Sequence, residues 1–447
     1  MNKRWLFWLN GVMILALCLA AFPTPAEAVG GVIVVTTTED EYNANAGTCS
    51  LREAVQAANT GASFNGCSAG DTIHLAGGQV YVLTRTGINE DSNVNGDLDV
   101  TTALTLTTHN GQRASIEGDA GWTDRLLDIQ SAGITVSVSH ILFTKGNVTG
   151  QGGAIRNNAN AALSLTSVVF QNNNASTGGG GLANIGGGGV QIAYSVFQNN
   201  TVQGAGPAGA GLLGLNGGSI TITHSAIVDN TAQGGDGGGF SVDGPLTLKN
   251  VTVSGNTAAD KGGGVYIDFG GSMNLNNVTI TNNTADSNGD GQGDGGGVQI
   301  ATTSKPIISN SILAGNFDNS PSGIVYADCA TANVSLQSIT SQGYNLFGDW
   351  TSSGTNCTVN SATGDQKGDT TPLDPGLASL ADNGSGRPTH AILSTSLALN
   401  AGNPNPPTGA GYTCESTDQR GLSRAGGRCD IGAFELKLFL YLPLVQR

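Results

Sequence analysis

The chain predicts an all-β fold, a single-stranded right-handed parallel β-helix with three sides, and three observations predict it. Apolar residues recur in register about every 27 residues, a solenoid period. The first column is Ile155, Leu182, Leu212, Phe240, Val265 and Val298; the second is Leu165, Ile192, Ile222, Leu248, Leu275 and Ile308. The third is Phe170, Phe197, Ile227, Val253, Ile280 and Leu313. The second-to-third step is always five residues, whereas the return to the next coil runs from 12 to 18. Two corners are therefore fixed and the remaining one carries loops. Within a coil the apolar residues alternate, as in Leu163-x-Leu165 and Ile220-x-Ile222, which is the period of a strand with one face inward. Lastly, Asn173, Asn200, Asn230, Asn256, Asn283 and Asn316 each follow the third column by three residues. Asparagine tolerates a left-handed corner, and stacked amides bond from coil to coil. Leucine-rich repeats need more leucine and a helical or 3₁₀ return, and propeller blades need about 40–45 residues.

The elements follow in order. Residues 1–28 read as an export leader: Lys3 and Arg4, an apolar run from Val12 to Phe22, and a cleavage site at Ala26-Glu27-Ala28. No later run reaches the roughly 18 apolar residues of a membrane span. Residues 29–100 supply a cap and the first coils. Ser50 and Glu53 form a capping box, and Leu51, Ala54, Val55 and Ala58 share one face of the helix that follows. That helix covers the open end of the stack, where unpaired strand edges invite aggregation. Its Arg52 and Glu53 are read as capping and solvated surface groups. Residues 101–340 carry the β-helix, with glycine runs such as Gly178 to Gly181 and Gly237 to Gly239 entering the coils, where positive φ and close approach are needed. Residues 341–435 form a C-terminal region, and 436–447 form a short apolar tail ending in Arg447.

The formal net charge is −15, and the leader removes only Lys3, Arg4 and Glu27 from that balance. An acidic surface excludes nucleic acid and anionic membranes as partners. Export makes disulfides the expected state of the six mature cysteines. Proximity favours Cys49 with Cys67, Cys329 with Cys357 and Cys414 with Cys429 among the 15 possible connectivities, all flanking the repeats. The absence of C-x-x-C and nearby histidines argues against zinc.

At both ends the residues carry a resemblance. Cys49-Ser50-Leu51-Arg52-Glu53-Ala54 and Gly96-Asp97-Leu98-Asp99-Val100 resemble the CSLREA domain that opens exported β-helix proteins of the pectin-lyase-like kind. Asn345-Leu346-Phe347-Gly348-Asp349, Asp418-Gln419-Arg420-Gly421 and Cys429-Asp430-Ile431-Gly432 are similar to the choice-of-anchor Q domain. In between, Gly152-Gly153-Ala154-Ile155, Phe170-Gln171-Asn172-Asn173 and Phe197-Gln198-Asn199-Asn200 resemble the repeats of polymorphic outer-membrane adhesins. These resemblances imply an exported, surface-associated protein and no particular reaction. After an anchor-type domain, the tail reads as a sorting or attachment segment, or equally as a final edge strand.

Candidate chemistry concentrates in the variable loops. Asp286, Asn288, Asp290 and Asp294 place oxygens at alternate positions around Gly291, and Asp91, Asn93, Asn95 and Asp97 repeat the arrangement. Both match the first half of a calcium loop, but Thr102 and Gly297 replace its bidentate glutamate. Calcium is the one cofactor this suggests, and solvated turns explain the same residues. Asp243 and Asp268 each follow the first column by three residues, so they stack on adjacent coils. Such a pair suits a retaining glycosidase or a cation. Arg156 is the one arginine between Arg125 and Arg387, a poor provision for a polyanionic substrate. The histidines lack metal-ligand spacing. Leu142, Val169, Val196, Ala226, Thr252, Thr279 and Ile312 form an outward stripe for the C-terminal segment or a partner. The function expected is a monomeric, non-catalytic surface protein displaying loops to a glycan or surface partner. The alternatives are a polysaccharide-degrading enzyme and a structural envelope component.

Overall fold

The computed structural model describes residues 30–88, 90–301, 305–321, 327–332, 338–350, 356–424 and 427–437. The leader and residues 438–447 of the tail lie outside them. Each coil of the described chain turns through parallel strands stacked on the coils before and after it. Wall one is a nine-stranded sheet that includes Leu98–Val100, Leu127–Ile129, Ile155–Asn157, Phe240–Val242 and Cys329–Thr331. Walls two and three form one continuous sheet bent at a corner. They are separate strands in early coils (Ala162–Thr166, then Val169–Gln171) and single strands in later ones (Ile220–Val228, Pro245–Ser254, Ser272–Thr281). A short fourth ladder of two-residue strands runs from Asn147–Val148 to Phe317–Asp318.

All three apolar columns stack residue on residue. Ile155 pairs with Leu182, Leu165 with Ile192, and Phe170 with Phe197, and the same register continues to Val298, Ile308 and Leu313. The rings of Phe143, Phe170 and Phe197 lie in one pile, with centroids 5.7 and 4.5 Å apart. These columns belong to one continuous core.

The asparagine ladder lies inside this core's wall. Each amide oxygen accepts from the backbone N–H and the side-chain amide of the asparagine one coil earlier, at 2.9–3.1 Å, from Asn173 through Asn316. Asp328 ends the row by accepting both bonds from Asn316. The left-handed corner, however, is one residue earlier than expected: Asn172, Asn199, Asp229, Gly255, Asn282 and Gly315 take the positive φ. The ladder asparagine is there to satisfy backbone groups, and its neighbour makes the bend. A second left-handed row, at His140, Ser167, Tyr194, His224, Asn250, Asn277 and Asn310, bends wall two into wall three. One glycine per coil, from Gly152 to Gly295, bends the chain into wall one. At Gly238 a Cβ would stand 2.4 Å from the Gly263 carbonyl oxygen of the next coil, a contact no larger residue survives.

The helix Leu51–Thr60 has its capping box, with Ser50 as cap and Glu53 returning the bond. Its Leu51, Ala54, Val55 and Ala58 join the core, so it plugs the first coils. Arg52 departs from the expectation of a solvated group. Fully buried, it grips Asp40 with two nitrogens (2.7 and 3.2 Å) and donates to the carbonyls of Asn95, Gly96 and Asp97. The three expected disulfides are present. Cys329 nevertheless lies within the stack, paired with Val298 at the foot of the first column. The coils also run past residue 340, since Phe347 stacks on Leu313, and Gln366–Gly368 pairs with Leu346–Asp349. The chain beyond them folds back over the outward stripe. Thr252 meets Thr389 and Gln419, Thr279 accepts from the Ala433 amide, and Ile312 packs with Ile392, Ile431 and Phe434.

Candidate functional site

The loop Asp286 to Asp294 is built around its own oxygens. Asp286, fully buried and at φ 47°, accepts from the amides of Asp290 (3.0 Å) and Gly291 (3.0 Å). Asn288 accepts from Asp290 at 3.2 Å, and Asp290 accepts from Gln292 at 2.9 Å. The chain thus wraps around the expected first, third and fifth positions, with Gly291 at positive φ in the turn. The preceding coil lends a backbone carbonyl and a nearby charge. The Asp286 amide donates to the Asp260 carbonyl, and the charges of Asp290 and Asp286 help burial hold the Asp260 carboxyl above its usual range. Burial, with Asp318 and Asp286 nearby, pushes Asp294 up to about 6. Crowded carboxylates that resist ionising together favour either a proton or a cation.

The earlier loop does not gather its four residues. Asn93 exchanges two hydrogen bonds with Asp99 and gives its side-chain amide to the Arg52 carbonyl. Asn95 donates its backbone amide to Glu90, and Asp97 pairs with Arg125 at 2.9 Å. What the fold brings together instead is Asp91, Asp99 and Asp128, with carboxylate oxygens within 4.8 Å of one another. Asp99 and Asp128 are register partners on the outer face of wall one, and Arg156 of the next coil grips Asp128 at 2.5 and 2.9 Å. The Gln130 amide stands among all three and donates to each. Burial and the neighbouring charges push Asp99 up to about 7, and burial with Asp124 pushes Asp97 up to about 8. This cluster clamps the cap onto the first coils. Sequence reasoning missed it because the pairing of Asp99 with Asp128 follows only from the register of the Leu98 and Leu127 coils.

Asp243 and Asp268 sit on adjacent coils as expected, but each serves a turn. Asp243 accepts from the Asn216 and Gly217 amides of the preceding coil, both at 2.9 Å, and Asp268 accepts from the Phe269 amide at 2.7 Å. Lys249, six residues after Asp243, is bound to Glu415 at 3.1 Å. His140 and His224 occupy corners, and His390 bonds Ser254 and the Ala378 carbonyl. Among the described residues no helix is long and apolar enough to cross a membrane.

This architecture defines the class: a right-handed parallel β-helix. The family model of the right-handed β-helix region matches residues 195–363. No curated protein matches the chain. Among solved structures, the crystal structure of pectate lyase Pel9A is similar, with a TM-score of 0.34 and 17% identity over 82% of this chain and 88% of that one.

Proposed function

We propose that this chain is an exported, non-catalytic β-helix that displays its loops to an extracellular glycan or surface partner and holds weak calcium in the loop Asp286 to Asp294. The observation that carries the reading is that loop's fold: Asp286, Asn288 and Asp290 wrap around Gly291, with the negative charge of Asp260 on the preceding coil felt in the same loop. Calcium sites with few carboxylates bind at about 10⁻⁴–10⁻³ M, as in extracellular modules. Display fits an array whose variable returns all open at the same corner, and the expected resemblance to surface-associated proteins supports it. Asp243 and Asp268 are engaged as turn caps, which favours display over hydrolysis.

The test is isothermal titration with millimolar calcium, with Asp290→Asn and Asp260→Asn beside wild type. Heat that both variants lose supports the reading, and no heat from wild type removes calcium from it. Reducing-sugar and unsaturated-product assays on a polysaccharide panel test the absence of catalysis. Turnover abolished in Asp243→Asn and Asp268→Asn would replace display with hydrolysis.

A further inference from the structure

We propose that Lys249 and Asn276 join in an isopeptide bond that stitches two neighbouring coils together, with Glu415 as the acid–base group that makes it. The two are register partners on the strands Pro245–Ser254 and Ser272–Thr281, at a coil spacing of about 4.8 Å. One oxygen touches both. Glu415 Oε1 lies 3.1 Å from Lys249 Nζ and accepts from the Asn276 side-chain amide at 2.9 Å.

The rest of the neighbourhood fixes that amide. Asn276 is buried, and its side chain also donates to the Thr413 carbonyl at 2.9 Å. Its oxygen accepts from the Asn310 side chain at 2.8 Å and from the Ser309 hydroxyl at 3.0 Å, a proton that Ser309 shares with the Leu275 carbonyl. The nucleophile thus stands on the coil before Asn276, and the donors to its oxygen stand on the coil after. Glu415 belongs to neither coil. It comes with the C-terminal segment, pinned by its own backbone amide on Asn277 at 2.8 Å and by the adjoining Cys414–Cys429 disulfide. A cavity of about 310 Å³, lined by Lys249, Asn274, Asn276, Gly409, Gly411 and Tyr412, lies beside the pair and gives a departing ammonia room.

An ordinary ion pair needs only the lysine and the glutamate; a polarised amide under the same carboxylate is what this site adds. An ammonium is no nucleophile, so Glu415 first takes a proton from Lys249. The free amine attacks Asn276 Cγ, and the carbonyl electron pair moves onto an oxygen already facing two donors, the arrangement that stabilises an oxyanion. As the tetrahedral centre collapses, the Cγ–Nδ2 bond breaks and Nδ2 takes the proton held by Glu415. The attacking nitrogen gives its second proton to the departing ammonia. One C–N bond forms and one breaks: an ammonium and an amide become a new amide and an ammonium ion, with no oxidant, reductant or cofactor. Holding both groups on adjacent strands supplies the proximity that free amines and amides lack. Because Glu415 belongs to the C-terminal segment, the stitch closes only once that segment has docked. Such a stitch is independent of what the loops display.

The test is the intact mass of the full chain, denatured with its disulfides reduced, and tandem mass spectrometry of its tryptic peptides. Wild type is compared with Lys249→Arg, Asn276→Ala and Glu415→Gln, each against the mass of its own sequence, and circular dichroism confirms that each is folded. A wild-type shortfall of about 17 Da, the mass of ammonia, with a peptide bridged between Lys249 and Asn276 and no shortfall in the variants, supports the proposal. Wild type at its full mass overturns it without recourse to any variant, as does a shortfall that Lys249→Arg or Asn276→Ala retains. A bond that forms equally in Glu415→Gln overturns the acid–base assignment. Asn276 found as aspartate, about 1 Da heavier, also overturns the proposal, because water and not Lys249 has then taken the amide.

Discussion

Replacing Asn230 by alanine tests the energetics of the stack at its most repeated point. Asn230 is fully buried. Its oxygen accepts from the Asn200 backbone amide at 3.0 Å and from the Asn200 side chain at 2.9 Å. Its nitrogen donates to the Phe197 carbonyl at 3.0 Å and to the Asn256 oxygen at 2.9 Å. Truncation leaves the other partners a second bond: the Asn200 side chain keeps Phe170, and the Asn256 oxygen keeps the residue 230 backbone amide. The Asn200 backbone amide loses its partner in a place water does not reach. At about 1–3 kcal/mol for a buried orphan, the loss is about 1–3 kcal/mol. Urea unfolding followed by circular dichroism measures it. Thr223→Ala, which removes a hydroxyl from the half-buried outer face, serves as control at about 0.5 kcal/mol or less. An Asn230→Ala variant within that control's range would refute the claim that the ladder satisfies buried backbone.

Three more outcomes are expected together. Asp99 sits at about 7 in the folded chain against roughly 4 unfolded, so the folded state holds the extra proton between those values. Its contribution is therefore present below pH 4 and lost as pH rises through 7; Asp99→Asn flattens that part of the stability profile, and an unchanged slope contradicts the assignment. Arg52→Ala strands the Asp40 carboxylate and three carbonyls, a change of about 3–5 kcal/mol for a buried pair, read as faster proteolysis at the cap. Gly238→Ala, where a Cβ has no room, lowers the melting temperature more than Gly189→Ala, where the nearest atom to a Cβ is 3.5 Å away and φ is likewise not positive; equal losses would remove the close-approach argument.

Much of this architecture was legible because a stacked coil repeats its constraints. Each apolar column is a packing requirement met again one coil later, so Leu165, Ile192 and Ile222 announce their pairing without any structure. The first coils were harder to read. Leu98, Leu106 and Ile116 share the three columns, but their spacing differs from the five-residue step that marks the later coils. Cys329 is both a disulfide partner and the residue under Val298, and the first role hides the second. The corner was displaced by one residue because Asn172 and Asn173 are adjacent and chemically alike, while one supplies positive φ and the other hydrogen bonds. The C-terminal contacts had no periodic signal at all. Gln419 and His390 reach Thr252 and Ser254 across more than 130 positions, a distance that periodicity does not span. The Asp91, Asp99 and Asp128 group needed both register and loop placement, and only the first follows from the pattern.

Cross-linking tests the coil register, on which every site depends. Thr166 and Ala193 are register partners on adjacent coils and face outward, at a parallel-strand separation within the roughly 4.4–6.8 Å that a disulfide accepts. Cysteines at 166 and 193 should oxidise to an intramolecular bond in the folded chain, whereas cysteines at 166 and 191, one strand repeat out of step, should not. Equal cross-linking of the two pairs, or bonding of the second alone, would contradict the stacking.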